Sequence, residues 1–236
     1  MQSAGYEPVV DAIRDAVGAA DGRILIVGVG GPVCVGKTTA SDRLRSLLDP
    51  MSVEVVTTDG FLWSSAELDA RGLTMRKGFP ESYNEVAIRS FLGQVRQGSH
   101  GVLVPRYSHE LYDVVPGTEL ELDDAAIVII EGVNALQFHD ALDLAIYVDA
   151  PEDVIEAWYV DRFLGLCAVA APGTFYANFE QVGDVGRREI ARHVWNTVNR
   201  VNLEEHIEPT RAHASVVIEK APDHSIQRVV FGDVIR

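Results

Sequence analysis

A glycine-rich stretch that ends in a lysine and a threonine holds the residues best suited to chemistry. Positions 24–39 read ILIVGVGGPVCVGKTT, an apolar run followed by a glycine-rich turn. Glycine lets the backbone approach an anion closely, Lys37 can reach the β- and γ-phosphates, and the Thr38 hydroxyl can bind Mg²⁺. The pattern predicts a nucleoside triphosphate site at the start of a helix. The residues expected to contact the nucleotide there are Gly31, Val33, Val35, Gly36, Lys37, Thr38 and Thr39.

Two acidic residues follow predicted strands that should lie beside this loop. Asp59 ends the run SVEVVTTD, and Glu131 ends the run AIVIIE. Acids at the carboxyl ends of parallel strands lie over the crevice where open α/β sheets bind ligands. Glu131 occupies the place where phosphate-loop proteins carry an acid that holds Mg²⁺. Asp59 could accept a proton from a substrate hydroxyl, although a turn residue ahead of Gly60 is an equal interpretation.

A possible cover for this site follows Pro151. Arg162 precedes a segment rich in glycine, proline and aromatic residues, and we expect a lid over about 160–183. A guanidinium on such a lid could close over the transferring phosphoryl group and exclude water. A solvated arginine is the alternative interpretation. Tyr107 and His109 share a loop, where a histidine more often has a structural role than a catalytic one. On pattern alone, the chain is a phosphate-loop phosphotransferase or hydrolase.

Hydrophobic periodicity predicts the elements that position these residues. We predict one α/β domain over 1–236, with an open parallel sheet of the P-loop NTPase type, helices on both faces and right-handed crossovers. Asn84 and Asp184 are predicted helix caps, Val86 is placed on a buried helix face, and 61–83 is a long loop with one short helix. The predicted helices cover 7–20, 40–48 and 84–97 and begin again at 151 and 184; the later strands cover 102–105, 126–130, 142–148, 214–218 and 229–231.

Composition narrows the ligand class. The formal charge is −15 and the pI is about 4.8, which argues against nucleic acid and anionic membranes as main partners. We therefore expect a small-molecule substrate. The chain has three lysines, Lys37, Lys77 and Lys220, so a lysine in the loop is informative. Two cysteines give no disulfide framework. Without a membrane span or a signal peptide in the sequence, the expected location is the cytoplasm.

Longer motifs resemble type I bacterial pantothenate kinase over nearly the whole chain after Arg23. They are TTDGF at 57–61, RKGFPESY at 76–83, YSHELYDVVPG at 107–117, IIEGVNALQ at 129–137, EAWYVDRFL at 156–164, NLEEHIEPTRAHA at 202–214 and DHSIQRVV at 223–230. The resemblance implies a kinase related to uridine kinases and phosphoribulokinases. It implies transfer of the γ-phosphate of MgATP to the primary hydroxyl of pantothenate, the first step of coenzyme A synthesis. It also implies a homodimer.

The resemblance further assigns roles by motif. It implies that Asp59 is the general base, Lys37 the phosphate lysine, and Arg162 the arginine that stabilises the transition state. Thr38 and Glu131 would lie next to magnesium. The residues that would hold the pantothenate chain or form its aromatic pocket are Tyr107, His109, Tyr159, Asn199, Phe163, Tyr176 and Phe179. Lys220 and His224 fall where the family approaches adenine.

The sequence also departs from this family. A substantial helical segment precedes the loop in the family, whereas 30 residues precede Gly31 here, so we expect part of the nucleotide surround to be absent or rebuilt. Asp42 replaces an arginine that anchors the phosphates of the inhibitor coenzyme A, and Leu166 replaces a pocket phenylalanine. We therefore expect weak or absent inhibition by coenzyme A. Two alternatives stay open: a kinase of the same build acting on a nucleoside, sugar or other small alcohol, and a nucleotide-binding regulatory protein without turnover.

Overall fold

The computed structural model describes residues 5–98, 101–122 and 124–232. The N-terminal stretch interpreted above as lacking a signal peptide lies partly outside these residues. The strands are β1 Leu25–Gly30, β2 Val53–Thr57, β3 Leu103–Val104, β4 Tyr107–Ser108, β5 Asp113–Val114, β6 Leu120–Glu121, β7 Ile127–Glu131, β8 Leu144–Asp149, β9 Val216–Lys220 and β10 Ile226–Phe231. The α-helices are α1 Glu7–Ala19, α2 Lys37–Leu47, α3 Ser65–Ala70, α4 Glu85–Arg96, α5 Glu152–Ala168, α6 Asp184–Val194 and α7 Arg200–Asn202.

Six strands form one sheet in the order β10-β9-β8-β1-β7-β2. All neighbours are parallel except β9 and β10, which are antiparallel. The mostly parallel sheet is as predicted, but the parallel assignment is wrong for the last strand. The connection between these strands is a tight turn in which Ala221 N donates to Ser225 O at 2.9 Å and His224 has a φ of 65°. Such a short turn can form only a hairpin, because a parallel neighbour needs a long crossover.

Helices cover both faces of the sheet. Alternate β1 residues Leu25, Val27 and Val29 belong to a core shared with α1 and α2, whereas Ile26 packs with α4 on the other face. This alternation follows from the two-residue period of a strand. In α4, Ile88, Phe91, Leu92 and Val95 are buried as predicted. Val86 is 79% exposed, so its predicted burial is wrong; it lies one position after Glu85, at the solvent side of the first turn.

The helix ends also test the sequence signals. Asn84 caps α4 as predicted, because its side chain accepts a hydrogen bond from Ala87 N at 3.1 Å. Asp184 is not the cap of α6; it is the first helical residue, and Gly183 precedes it without a side-chain cap. Whether Asp184 is the cap or the first residue of α6, its carboxylate lies near the positive end of the helix dipole. The short helix predicted within 61–83 is α3, which begins with a capping box formed by Ser64 and Glu67.

The polypeptide after α6 continues as one irregular helix. Two π-helical turns, Trp195–Asn199 and Leu203–Ile207, flank α7. Such turns often occur at functional sites, because they rotate side chains relative to a regular helix. None of the helices in the described residues combines the length and hydrophobicity that a membrane span requires.

Candidate active site

The glycine-rich loop connects β1 to α2 in a conformation that only glycine adopts readily at two positions. Gly31 has a φ of 137°, and a Cβ atom there would lie 2.2 Å from the Val148 carbonyl oxygen. Gly36 has a φ of 87° and ends the loop directly before α2. Within the loop, Lys37 Nζ donates to the Pro32 carbonyl oxygen at 2.7 Å. The lysine is thus held at the start of α2, where the helix amides also favour an anion.

Lys37, Thr38 and Glu131 lie together at the ends of β1 and β7. The Thr38 hydroxyl donates to Glu131 Oε1 at 3.0 Å. Lys37 and Glu131 are 8% and 6% exposed, so this is a buried pair of opposite charges. Burial lowers the pKa of Lys37, and Glu131 and Asp59 oppose that effect. Burial likewise raises the pKa of Glu131, which the Lys37 ammonium opposes.

Asp59 follows β2 and is half-buried in the same cleft as Lys37. Its backbone N–H donates to Thr57 Oγ1 at 3.3 Å, and its Oδ1 accepts from the Tyr83 hydroxyl at 3.3 Å. The Asp59 charge contributes to the electrostatics of both Lys37 and Lys77. The candidate base and the phosphate lysine are therefore neighbours across one cavity.

This cavity has a volume of about 250 Å³. It is lined both by the loop residues Val33, Lys37 and Thr38 and by aromatic side chains. Of the residues predicted to contact the acceptor, those that line it are Asp59, Tyr107, His109, Tyr159, Phe163, Tyr176 and Asn199. Burial raises the pKa of Tyr159 to about 12, while the neighbouring Asn199 amide acts to lower it. Desolvation of the imidazole lowers the pKa of His109, and the neighbouring Asp59 charge opposes that shift.

Phe179 does not line the cavity, contrary to its predicted place in the pocket wall. Its ring lies 5.2 Å from that of Phe163, which does line the cavity, so it supports the wall from behind. The reason is the 3₁₀ helix Phe175–Phe179, which turns successive aromatic side chains in different directions. In the same segment the Phe175 ring stacks on Tyr112, with centroids 4.5 Å apart and planes 15° apart.

Arg162 projects from α5 at the edge of the cavity and is exposed. Its charge reaches into the loop, where it opposes the burial that raises the pKa of the Cys34 thiol. Cys34 and Cys167 are both free cysteines. The 160–183 segment therefore meets the cavity at Arg162, Phe163, Leu166 and Tyr176.

Lys220 and His224 lie outside the cavity lining. Lys220 is 4% exposed, and its Nζ would be 2.6 Å from a Cβ atom added to Gly36, so this ammonium lies directly beside the phosphate loop. Burial lowers its pKa. His224 stacks on Trp158, with centroids 4.1 Å apart. The expected approach of both to adenine stays a prediction.

The cavity is also lined by Lys77, Tyr83 and Tyr112, to which no role was assigned from the sequence. Lys77 Nζ donates to the Tyr112 carbonyl oxygen and lies 4.1 Å from the centroid of the Tyr112 ring. Burial lowers its pKa, against Asp113 and Asp59. The available signals were the scarcity of lysine in the chain and the RKGFPESY motif that contains both Lys77 and Tyr83.

The donor set at the loop fits a magnesium ion. The described residues include no group of three or more histidine, cysteine, aspartate or glutamate side chains that could hold a metal. Thr38 and Glu131 instead offer a hydroxyl and a carboxylate, 3.0 Å apart, next to the predicted phosphate position. Mg²⁺ is usually bound in this way, by few protein oxygens together with water and substrate phosphates.

Comparison with known proteins places the chain in a family. Residues 26–163 match the phosphoribulokinase/uridine kinase family. The chain is 40% identical to a pantothenate kinase of Streptomyces avermitilis over 95% of its own length and 76% of the relative. It is 41% identical to a pantothenate kinase of Coxiella burnetii, covering 86% and 70%. A solved D-glycerate 3-kinase of Cryptococcus neoformans shares the fold, with a TM-score of 0.71 at 12% identity, covering 96% and 98%. The chain belongs to the phosphoribulokinase/uridine kinase family, in the branch that contains these bacterial pantothenate kinases.

Proposed function

We propose that this chain is an ATP-dependent kinase that transfers the γ-phosphate to the primary hydroxyl of pantothenate. The observation that carries the proposal is the position of Asp59, which lies in one cavity with Lys37 and the Thr38–Glu131 pair. A phosphate loop alone serves hydrolases and switches as well as kinases. A carboxylate that faces the phosphate site from a pocket with aromatic walls suits an alcohol acceptor. Relatives at about 40% identity that are named pantothenate kinases supply the choice of alcohol.

In the proposed mechanism, Asp59 accepts the proton of the acceptor hydroxyl as that oxygen attacks the γ-phosphorus. Lys37 neutralises charge on the phosphates, and the amides of the loop hold the polyphosphate in line. Arg162 closes over the transferring group from α5 and stabilises the transition state. The cavity admits the acceptor while the segment 160–183 acts as a lid that keeps water out.

Thr38 and Glu131 would hold magnesium in this scheme. The ion neutralises the β- and γ-phosphate oxygens when it is bound. Burial raises the pKa of the Glu131 carboxyl, and the neighbouring Lys37 ammonium acts against that rise. Lys220 and His224 would meet the nucleotide from the far side of the loop.

The acceptor would lie along the aromatic part of the cavity. Tyr159 and Asn199 would contact its polar groups from one side, and Tyr107 and His109 from the other. Phe163 and Tyr176 would enclose its apolar part, with Phe179 behind them.

We also propose a cytoplasmic homodimer that feeds coenzyme A synthesis, as the family resemblance implies. Light scattering coupled to size exclusion would test the dimer.

A second candidate is a kinase of another small alcohol. The observation that favours it is Leu166, which lines the cavity where the resemblance implies phenylalanine. A leucine gives the acceptor pocket a different shape and removes one aromatic contact.

A substrate panel separates the two candidates. Purified protein would be assayed for ADP release with MgATP and D-pantothenate, D-glycerate, uridine or ribose, with product identified by ³¹P NMR. We expect a phosphomonoester from pantothenate and at least tenfold lower kcat/KM for the other alcohols. Lys37→Met, prepared in parallel, controls for contaminating kinases. Turnover of another alcohol in preference to pantothenate would contradict the proposal and support the second candidate.

A further inference from the structure

The side chain of Tyr83 lines the cavity beside the candidate base. Tyr83 is 5% exposed, and its hydroxyl donates to Asp59 Oδ1 at 3.3 Å. Burial, together with the neighbouring Asp59 charge, raises the pKa of Tyr83 far above its ordinary value. The phenol therefore stays protonated and can only donate to the carboxylate at working pH.

The backbone holds this tyrosine opposite the segment that carries Asp59. Leu62 and Tyr83 form an antiparallel bridge. On either side of it, Trp63 N donates to Ser82 O at 2.9 Å and Asn84 N donates to Phe61 O at 2.8 Å. These two bonds fix the distance between the chain after Asp59 and the end of the RKGFPESY motif.

The two strands of this bridge are each anchored to rigid parts of the fold. Asn84 caps α4, and the Phe91 ring of α4 packs 5.5 Å from Phe61. Ser82 is fully buried, and its hydroxyl accepts from Gly78 N at 2.9 Å while donating to Phe79 O at 2.6 Å. The backbone at Tyr83 is therefore held in place independently of the contact between its hydroxyl and Asp59.

We propose that Tyr83 is a positioning residue that orients the Asp59 carboxylate for the transfer reaction. With Oδ1 engaged by the phenol, Oδ2 is left to face the acceptor hydroxyl. In the transfer step the hydroxyl proton moves to Oδ2 while the new O–P bond forms and the bond from the γ-phosphorus to the bridging oxygen of ADP breaks. The proton then leaves to solvent as product departs. This inference rests on the proposed function only for the presence of a base at Asp59.

Tyr83→Phe removes one oxygen atom and keeps the packing of the ring. Because a hydrogen bond to a carboxylate is lost, we expect kcat to fall about 10- to 100-fold, with the dissociation constant for ATP changed less than twofold. Tyr147→Phe is the matched control: Tyr147 is 1% exposed in β8, outside the cavity, and its loss should leave kcat unchanged.

A double-mutant cycle distinguishes a positioning role of Tyr83 from a merely structural one. If Tyr83 acts through Asp59, adding Tyr83→Phe to Asp59→Asn should lower the residual rate no further, because the target carboxylate is already absent. An equal loss in both backgrounds, or a Tyr83→Phe kcat within twofold of wild type, would overturn the inference.

Crystal structures of the wild type and of Tyr83→Phe give a readout that needs no turnover. We expect the Asp59 carboxylate to rotate away from its position in the variant; an unchanged rotamer would also overturn the inference. If the wild-type protein fails to phosphorylate pantothenate, the proposed function fails, and the kinetic arms are run on the alcohol that the panel identifies. The two failures are therefore distinguishable.

Discussion

The two halves of the cleft are built by different means. The phosphate half comes from one continuous piece of chain, 31–38, with Glu131 added from the neighbouring strand. The acceptor half is assembled from five separate pieces, 59–62, 77–83, 107–112, 159–166 and 194–207. Lys37 and Glu131 are buried, whereas Arg162 and His109 are exposed at the rim. Binding of phosphate thus depends on local backbone shape, whereas acceptor recognition depends on tertiary packing.

The strongest test of this contrast is Asp59→Asn, which replaces the candidate base of the acceptor half. We expect kcat to fall by about 10²–10⁴-fold, because the amide cannot accept the hydroxyl proton. The dissociation constant for ATP, measured by isothermal titration calorimetry, should change less than twofold. Weaker ATP binding of the same size as the kinetic loss would break the separation between the halves, and unchanged turnover would remove Asp59 from its role.

Gly36→Ala is the complementary test, because it changes the phosphate half of the cleft. The added Cβ would lie 2.6 Å from Lys220 Nζ at a φ of 87°. We expect ATP affinity to fall about tenfold or more, because a φ of 87° strains any residue with a Cβ atom and the added atom displaces the Lys220 ammonium beside the loop. Gly72→Ala is the control, since Gly72 has a φ of 70° with no neighbour within 4 Å. It should lower Tm while leaving ATP affinity unchanged; equal affinity losses in both variants would contradict the explanation.

Leu166→Phe tests whether the two halves respond separately, because it alters only the wall of the acceptor half. An added aromatic ring beside Phe163 and Tyr176 should lower the KM for pantothenate about two- to tenfold, with the KM for ATP unchanged. Steady-state kinetics with each substrate varied in turn would measure both values. Val169→Phe, at a position 79% exposed, is the control. A parallel change in the two KM values would show that the halves do not respond separately.

The smallest expected effect concerns inhibition by coenzyme A at the outer face of α2. Asp42 is exposed and pairs with Arg45 at 3.0 Å, so it presents a carboxylate at the position where the resemblance implies an arginine that binds the inhibitor. Asp42→Arg should strengthen inhibition by coenzyme A about two- to fivefold at low salt. Asp11→Arg changes the net charge equally on α1 and should have no effect. Strong inhibition of the wild type would contradict the expectation directly.

The same contrast explains what could be predicted from the sequence. The phosphate loop was predicted in detail, because glycine spacing, a buried strand and a following helix are local signals that lie within 16 residues. Asp59 and Glu131 were found because both end strands, and parallel strands end at one edge of a sheet. Their catalytic roles remain predictions.

Other features depend on contacts that no local pattern contains. Tyr83 lies 24 positions from the aspartate that its hydroxyl contacts, and the bridge between Leu62 and Tyr83 has no signature of its own. The family resemblance implied a pocket role for Phe179, but the direction of its ring depends on the 3₁₀ helix that carries it. The direction of β10 could be read only from the tightness of the turn before it, and Val229 to Phe231 alone carry no such information.

The carbonyl oxygen of Gly78 connects two distant parts of the chain. It accepts from Asn134 Nδ2 at 3.0 Å and from Asn202 Nδ2 at 2.9 Å, residues 56 and 124 positions away along the chain. Either side-chain amide alone gives this oxygen a hydrogen-bond donor, so the oxygen keeps a partner when the other hydrogen bond is lost. This junction should tolerate the loss of one asparagine but not of both. Substitutions at the two asparagine positions are therefore coupled, because both side chains donate to the same backbone oxygen of Gly78.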